Sequence, residues 1–345
     1  MPKRKNRPRR RGPRITAARQ RGAEAVGALV KPGLRVAVTT HVNADGDGVG
    51  SEVALVRLLR GLGVNAAITN PTPFPDRYRF LLKGIERYEK SATADKYLRR
   101  AQAVFVLDIS DVGRLGHLGR TLAALKVPVA CIDHHVTEGS LPAGPRFVDS
   151  AASATGELIY DLARVMEWEI NAEVARALYV ALLTDTGGFR FSNTTPHVLT
   201  VAASLLEFGL GPEEIYEDVF ANSPEGSIRL LAEVLNTLVV EEHGLAWVTV
   251  PEGALERCGI DADGLEGVVE YPRSIQGVRL ALLFRRLANG RTKVSFRSLG
   301  DVDAAALAQE FGGGGHIRAA GASVHGELQE VQNMVLERAR EVLRK

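Results

Sequence analysis

Residues 34–51 read LRVAVTTHVNADGDGVGS, and this stretch decides the fold class. Leu34–His41 is rich in β-branched residues, as a buried strand is. Behind it, Gly46, Gly48 and Gly50 open a loop that carries Asp45 and Asp47. Ser51–Leu62 then repeats apolar residues at helical spacing. Strand, glycine-rich loop and helix form the first part of a βα unit, which predicts a parallel sheet.

The same grammar continues outward. Ala103–Ile109 (AVFVLDI) and Val127–Asp133 (VPVACID) read as two more buried strands, and Gly156–Met166 and Ala172–Leu183 as helices. Residues 213–238 are helical in pattern and predict a linker. Antiparallel signals follow: Leu245–Val250 after a His243-Gly244 turn, then Val278–Arg286 and Thr292–Ser298 flanking Asn289-Gly290, a hairpin cue. A helix over Val302–Phe311, four glycines, a short strand and a charged helix complete the chain. The expected organisation is a basic tail over 1–22, an α/β domain over 23–212, the linker over 213–238 and a smaller α+β domain over 239–345.

Composition bounds the function. The chain has 345 residues, 45% hydrophobic and 24% charged, which excludes global disorder, collagen and coiled coil. No apolar run reaches the roughly 18 to 20 residues of a membrane span, and the N-terminus has no secretory pattern. Cys131 and Cys258 are the two cysteines, too few for a disulfide framework or a thiolate zinc cluster. A cytoplasmic protein is expected. Residues 1–21 hold ten Lys or Arg and no acid, leaving 33 bases against 41 acids elsewhere. Such a segment cannot bury enough surface to fold alone, and it reads either as a phosphate-neutralising tether to nucleic acid or as a solvated extension.

Open α/β sheets bind ligands at the carboxyl ends of their strands. The first strand ends at His41, with Asp45 and Asp47 behind it. The second ends at Asp108, followed by Asp111 and Arg114, and the third at Asp133-His134-His135. A helix end presents Asp185. Carboxylates crowded at one edge repel unless cations neutralise them. Oxygen and imidazole ligands without thiolates favour two Mn²⁺ ions, or Mg²⁺, over structural zinc. Taken singly, an acid after a strand is usually a cap, and for Asp111 that reading stands equally beside a site role.

These residues resemble the DHH phosphoesterase superfamily, whose triplet stands here as Asp133-His134-His135. Its motifs follow in order as HVNADGDGVGS, LDISDVGRLG, IDHH and TDTGGFRFSNTT, with KVSFRS at 293–298 and GGGGHIRAAGAS at 312–323 matching the associated DHHA1 domain. The resemblance is strongest to the nanoRNase branch, which degrades very short RNAs and dephosphorylates 3′-phosphoadenosine 5′-phosphate (pAp). It implies an active site in the cleft between the domains. His41, Asp45 and Asp108 would hold one metal, and Asp47, Asp108, His134 and Asp185 the second, with Asp108 bridging. His135 would face the scissile phosphate and Asp133 would support it. Ala44 and Glu138 depart from the family pattern without removing a ligand.

In the second domain, Gly313, Gly314 and Gly315 offer backbone amides to a phosphate, and His316 and Arg297 a phosphate or base contact. Gly312–Gly315 lacks the Lys-Ser/Thr of a P-loop. Arg114 and Arg190 read equally as phosphate contacts or as scaffold. His117, His197, His243 and His325 have no matching partners in the pattern. The expected substrates are short RNA oligonucleotides and pAp, with cyclic dinucleotides or linear pNpN as the alternative. A nucleotide-binding or RNA-tethering regulator is the alternative of another class, and homodimerisation is open.

Overall fold

The computed structural model describes residues 15–89, 91–137, 139–265 and 267–344. It divides after Asn222 into two units, a boundary that falls within 213–238.

The first unit runs α1 (Ala17–Gly27), β1 (Arg35–Thr39), α2 (Gly46–Gly61), β2 (Asn65–Thr69), β3 (Arg87–Tyr88), α3 (Ser91–Leu98), β4 (Ala103–Leu107), α4 (His117–Ala123), β5 (Val129–Asp133), β6 (Arg146–Val148), α5 (Thr155–Val165), α6 (Ala172–Asp185), α7 (Pro196–Leu206) and α8 (Pro212–Phe220). The strands form a sheet in the order β3-β2-β1-β4-β5-β6, with every pairing parallel. All five residues of both β4 and β5 are buried, as a sheet covered on both faces requires. Alternate side chains serve two cores. Val36, Val38, Phe105, Leu107 and Ile132 pack with the helices of one face, whereas Ala37, Val104, Val106 and Cys131 join Leu98 and Leu118 on the other. The strand order reverses at β1, so the carboxyl ends of β1 and β4 flank the point where such sheets open a crevice.

Two expectations are corrected here. The glycines at 46, 48 and 50 are not loop residues: they form the first turns of α2, whose N-cap is Asp45. A Cβ at Gly46 would collide with Thr184, and one at Gly50 would lie 2.6 Å from the Ala177 carbonyl. The missing side chains let α2 lie against α6. The basic tail also ends earlier than residue 22. Thr16 caps α1 by accepting from the Arg19 amide, and Arg19 is buried. Residues 1–14 lie outside the described residues, as does Glu138.

The second unit comprises α9 (Glu225–Leu235), β7 (Val239–Glu241), β8 (Leu245–Thr249), α10 (Ala254–Cys258), α11 (Glu270–Arg273), β9 (Leu280–Arg286), β10 (Arg291–Ser298), α12 (Ala304–Glu310), β11 (Gly314–His316), β12 (Ala319–His325) and α13 (Leu328–Leu343). Its sheet order is β11-β12-β10-β9-β8-β7. The β9–β10 hairpin turns at Gly290, with φ +75°. One pairing departs from the antiparallel expectation: β8 and β9 are parallel, joined by a crossover that holds α10 and α11.

Candidate metal centre

Each ligand candidate sits where its element ends. His41 follows β1, Asp108 follows β4, His134 and His135 follow β5, and Asp185 closes α6. Asp45 and Asp47 occupy the N-cap and first turn of α2. Asp108 turns sharply off its strand with φ +59°, a left-handed conformation that Asp adopts more readily than most residues.

The side chains converge into two groups. His41 Nε2 lies 3.7 Å from Asp45 Oδ2 and 3.6 Å from Asp108 Oδ2. His134 Nε2 lies 3.7 Å from Asp47 Oδ2, 3.7 Å from Asp185 Oδ2 and 3.6 Å from Asp108 Oδ1. Asp108 therefore turns one oxygen to each group. These separations are too long for hydrogen bonds, yet they suit donor atoms that share a cation. His41 Nε2 is buried and has no hydrogen-bond partner among the described residues. A donor set in which His41, Asp47 and Asp108 are buried and Asp45 opens to solvent fits divalent ions held by oxygen and imidazole.

The electrostatics say the same. Burial pushes the Asp47 carboxyl well above the usual carboxylate range, and the Asp108 charge adds to the push. Burial opposes protonation of His41, but Asp108 and Asp45 outweigh it and raise the imidazole to about 10. Burial would raise Asp108, yet His41, His135 and His134 hold it well below its ordinary value. Without cations, protons take up the charge that crowded acids cannot carry.

The loop and helix after β6 supply the outer support. Asp47 accepts from the Thr155 amide at 2.6 Å and the Gly156 amide at 2.9 Å, at the N-terminus of α5, where the helix dipole favours an anion. Thr155 Oγ1 donates to Asp108 Oδ1 at 3.0 Å. The ring of His134 points Nδ1 at the Ala152 carbonyl, 3.4 Å away. His135 is held differently: its Nδ1 lies 2.8 Å from Asp133 Oδ1, which makes that nitrogen the N–H. Burial lowers its affinity for a proton, but Asp133 and Asp108 raise it to about 9.

Other candidates fall outside the cluster. Asp111 is a cap, accepting from the amides of Gly113 and Ser140, both at 2.7 Å. Arg190 is exposed and donates to the Gly187 carbonyl within its own loop. The Arg114 carbonyl accepts from Val42 beside His41, and the Arg114 charge slightly lowers the proton affinity of His135. In the second unit, Arg297 pairs with Glu270 at 2.8 Å, and Glu270 also binds Arg273. The glycine run pairs with β12. A Cβ at Gly313 would strike Gly321 and one at Gly315 would lie 2.6 Å from the Ala319 carbonyl, whereas Gly314 has open space. Packing explains two of these three glycines. His316 follows them in β11, and its side chain lies outside the described residues.

Pattern reading missed one group. His197, expected to have no partner, lies 3.3 Å from Asp161 Oδ1, and Arg19 lies 2.6 Å from Glu157 and 2.8 Å from Asp161. No local motif marks these contacts.

Two family models match the chain: the DHH family N-terminal domain over residues 35–182 and the DHHA1 domain over 250–345. The bifunctional oligoribonuclease and PAP phosphatase NrnA of Thermus thermophilus is 36% identical over 331 residues, covering 93% of each chain. That of Bacillus subtilis is 29% identical, covering 83% of this chain and 88% of its own. The solved structure of an exopolyphosphatase-related protein from Bacteroides fragilis superposes with a TM-score of 0.87 at 26% identity, over 94% of this chain and 98% of that one.

Proposed function

This chain belongs to the DHH family, in the form that carries a DHHA1 domain, and on that premise we propose that it degrades short oligoribonucleotides to mononucleotides and removes the 3′-phosphate of pAp. The observation that carries the reading is Asp108, whose two oxygens serve two separate ligand groups. His41, Asp45 and Asp108 would hold one ion, and Asp47, Asp108, His134 and Asp185 the other, with Mn²⁺ preferred and Mg²⁺ accepted. Bound there, the pair would supply an activated water and positive charge for a phosphoryl group.

The protein's own residues then have distinct tasks. Asp133 fixes His135 Nδ1 as the N–H, which leaves Nε2 as the nitrogen that exchanges a proton with substrate. Held in this orientation, His135 can carry a proton on Nε2 and pass it to the departing 3′-oxygen. Arg114 adds positive charge on the same side and would orient a phosphate, with Arg190 as a second cation from the loop after α6. Recognition of the nucleotide falls to Arg297, His316 and the backbone of Gly313–Gly315, above all Gly314, where no packing demand accounts for the glycine. No helix among the described residues is long and apolar enough to cross a membrane, and both thiols are free, which supports a cytoplasmic setting.

The test is product chromatography after incubation with Mn²⁺ of a 5′-phosphorylated dinucleotide, a five-mer, a long single strand, pAp and a cyclic dinucleotide. The expected result is mononucleotide release fastest on the short RNAs, phosphate release from pAp, and loss of both with EDTA. Turnover of the cyclic dinucleotide alone would replace this reading with the cyclic-dinucleotide phosphodiesterase. Metal binding without turnover of any substrate would replace it with a nucleotide-binding regulator.

A further inference from the structure

Arg19 lies in a stretch whose sequence reads as solvated tail, yet its guanidinium is buried among three carboxylates. Nε donates to Asp149 Oδ2 at 2.6 Å, and Nη1 to Glu157 Oε1 at 2.6 Å and Asp161 Oδ2 at 2.8 Å. Glu157, Asp161 and His197 together have the spacing of a metal site. The guanidinium already supplies the positive charge there, so the group is a clamp on α1 and not a third ion site.

What the clamp holds is residues 149–157. Asp149 also accepts from the Ala151 amide at 3.0 Å, and Glu157 from the Ser153 amide at 2.9 Å. Arg19 thus grips both ends of a segment whose own backbone is pinned to the two carboxylates it binds. That segment contacts three members of one ligand group directly and the fourth, Asp185, through Asn193. Thr155 and Gly156 hold Asp47, Thr155 holds Asp108 Oδ1, and the Ala152 carbonyl faces His134. Asn193, which donates to the Ser153 carbonyl at 3.0 Å, reaches Asp185. Among the described residues, no hydrogen bond joins the segment to the side chains of His41 or Asp45.

We propose that Arg19 is a positioning residue for one of the two ion positions, that of Asp47, His134 and Asp185, and not for that of His41 and Asp45. The inference rests on reading both groups as metal-binding. Partners bonded directly to metal ligands, as Thr155 and Gly156 are here, alter metal affinity by about 10–100-fold, and Arg19, one step further out, is expected at the lower end of that range.

The test is calorimetric titration of Mn²⁺ into the metal-stripped full chain. Asp45→Asn identifies the binding class of the His41–Asp45 group. Arg19→Lys keeps the charge but loses the fork that spans three carboxylates, and Arg19→Met removes both. Val26→Ala, in the buried core of α1, controls for general loosening of that helix, with Tm read in parallel. The expected result is that Arg19→Lys weakens the other class by roughly tenfold and leaves the Asp45-sensitive class in place, while Val26→Ala lowers Tm and moves neither class. Equal weakening of both classes, or no difference between Arg19→Lys and Val26→Ala, overturns the inference while the metal reading stands. Absence of Mn²⁺ binding by the unmodified chain overturns the metal reading and the inference with it.

Discussion

Asp108→Asn is the sharpest test of the paired ligand groups. The amide keeps the shape of the carboxylate, and Asn tolerates the left-handed backbone at φ +59°. Asp108→Ala would add roughly 1–2 kcal/mol of backbone strain and blur the comparison. With Asn, the fold is expected to survive. Loss of one preorganised electrostatic partner costs about 10²–10³ in kcat. Asp108 presents one oxygen to each group; Asn keeps one oxygen, turns an amide NH2 to the other group and removes the charge both share, so the cost should exceed one such loss, at more than about 10³, or over ~4 kcal/mol. Asp45 serves a single group and is half-exposed, so Asp45→Asn should cost about 10²–10³. The assay is the initial rate of mononucleotide release from a 5′-phosphorylated trinucleotide at saturating Mn²⁺, with circular dichroism to verify folding. A folded Asp108→Asn protein within about tenfold of the unmodified rate, or one no worse than Asp45→Asn, refutes the bridging geometry.

Three further outcomes follow from the same contacts. Asp133→Asn should bring the His135 imidazole of the metal-free chain down from about 9 towards the ordinary value near ~6.5, read by NMR titration. Because the folded value is the higher one, the stability lost in this variant is full below about pH 6.5 and disappears as pH rises through about 9, which melting curves across that window will show. Gly50→Ala should cost roughly 1–3 kcal/mol through the collision with Ala177, lowering Tm by about 2–12 °C. An unchanged Tm would mean that the glycines do not set the α2–α6 contact. Deletion of residues 1–14 should reduce kcat/KM on RNA at low salt and leave it intact at high salt, if the basic segment acts by phosphate neutralisation. The cut must stop there, because Thr16 and Arg19 belong to the folded unit.

The ligand candidates were legible because strand ends in a parallel sheet are marked twice, by β-branched runs and by the acids and imidazoles that interrupt them. Val104–Leu107 followed by Asp108 needs no tertiary knowledge to be placed. The start of α2 was not legible, since glycine breaks helices in isolation. Here Gly46 and Gly50 are tolerated because their bare surfaces admit α6, a fact of packing and not of propensity. The parallel pairing of β8 with β9 was equally hidden. Short strands near turns suggest hairpins, and only the intervening α10 and α11 reveal the crossover. Arg19 was the least accessible, because its three partners come from elsewhere in the fold and its neighbours in sequence are basic and uninformative.

That distance has a consequence for the order in which the chain is made. Arg19 leaves the ribosome 130 residues before Asp149 and 142 before Asp161. At synthesis rates of about 5–20 residues per second, its guanidinium stays in water for roughly 7–28 seconds before all three partners exist. A cation cannot enter the core alone, so α1 cannot dock until the start of α5 has been translated. The last ligand, Asp185, and its neighbour Asn193 arrive shortly afterwards, while the segment beyond Asn222 is still being synthesised. The first helix in sequence is thus among the last parts of its unit able to dock, since the carboxylates that receive Arg19 are made late in the synthesis of that unit.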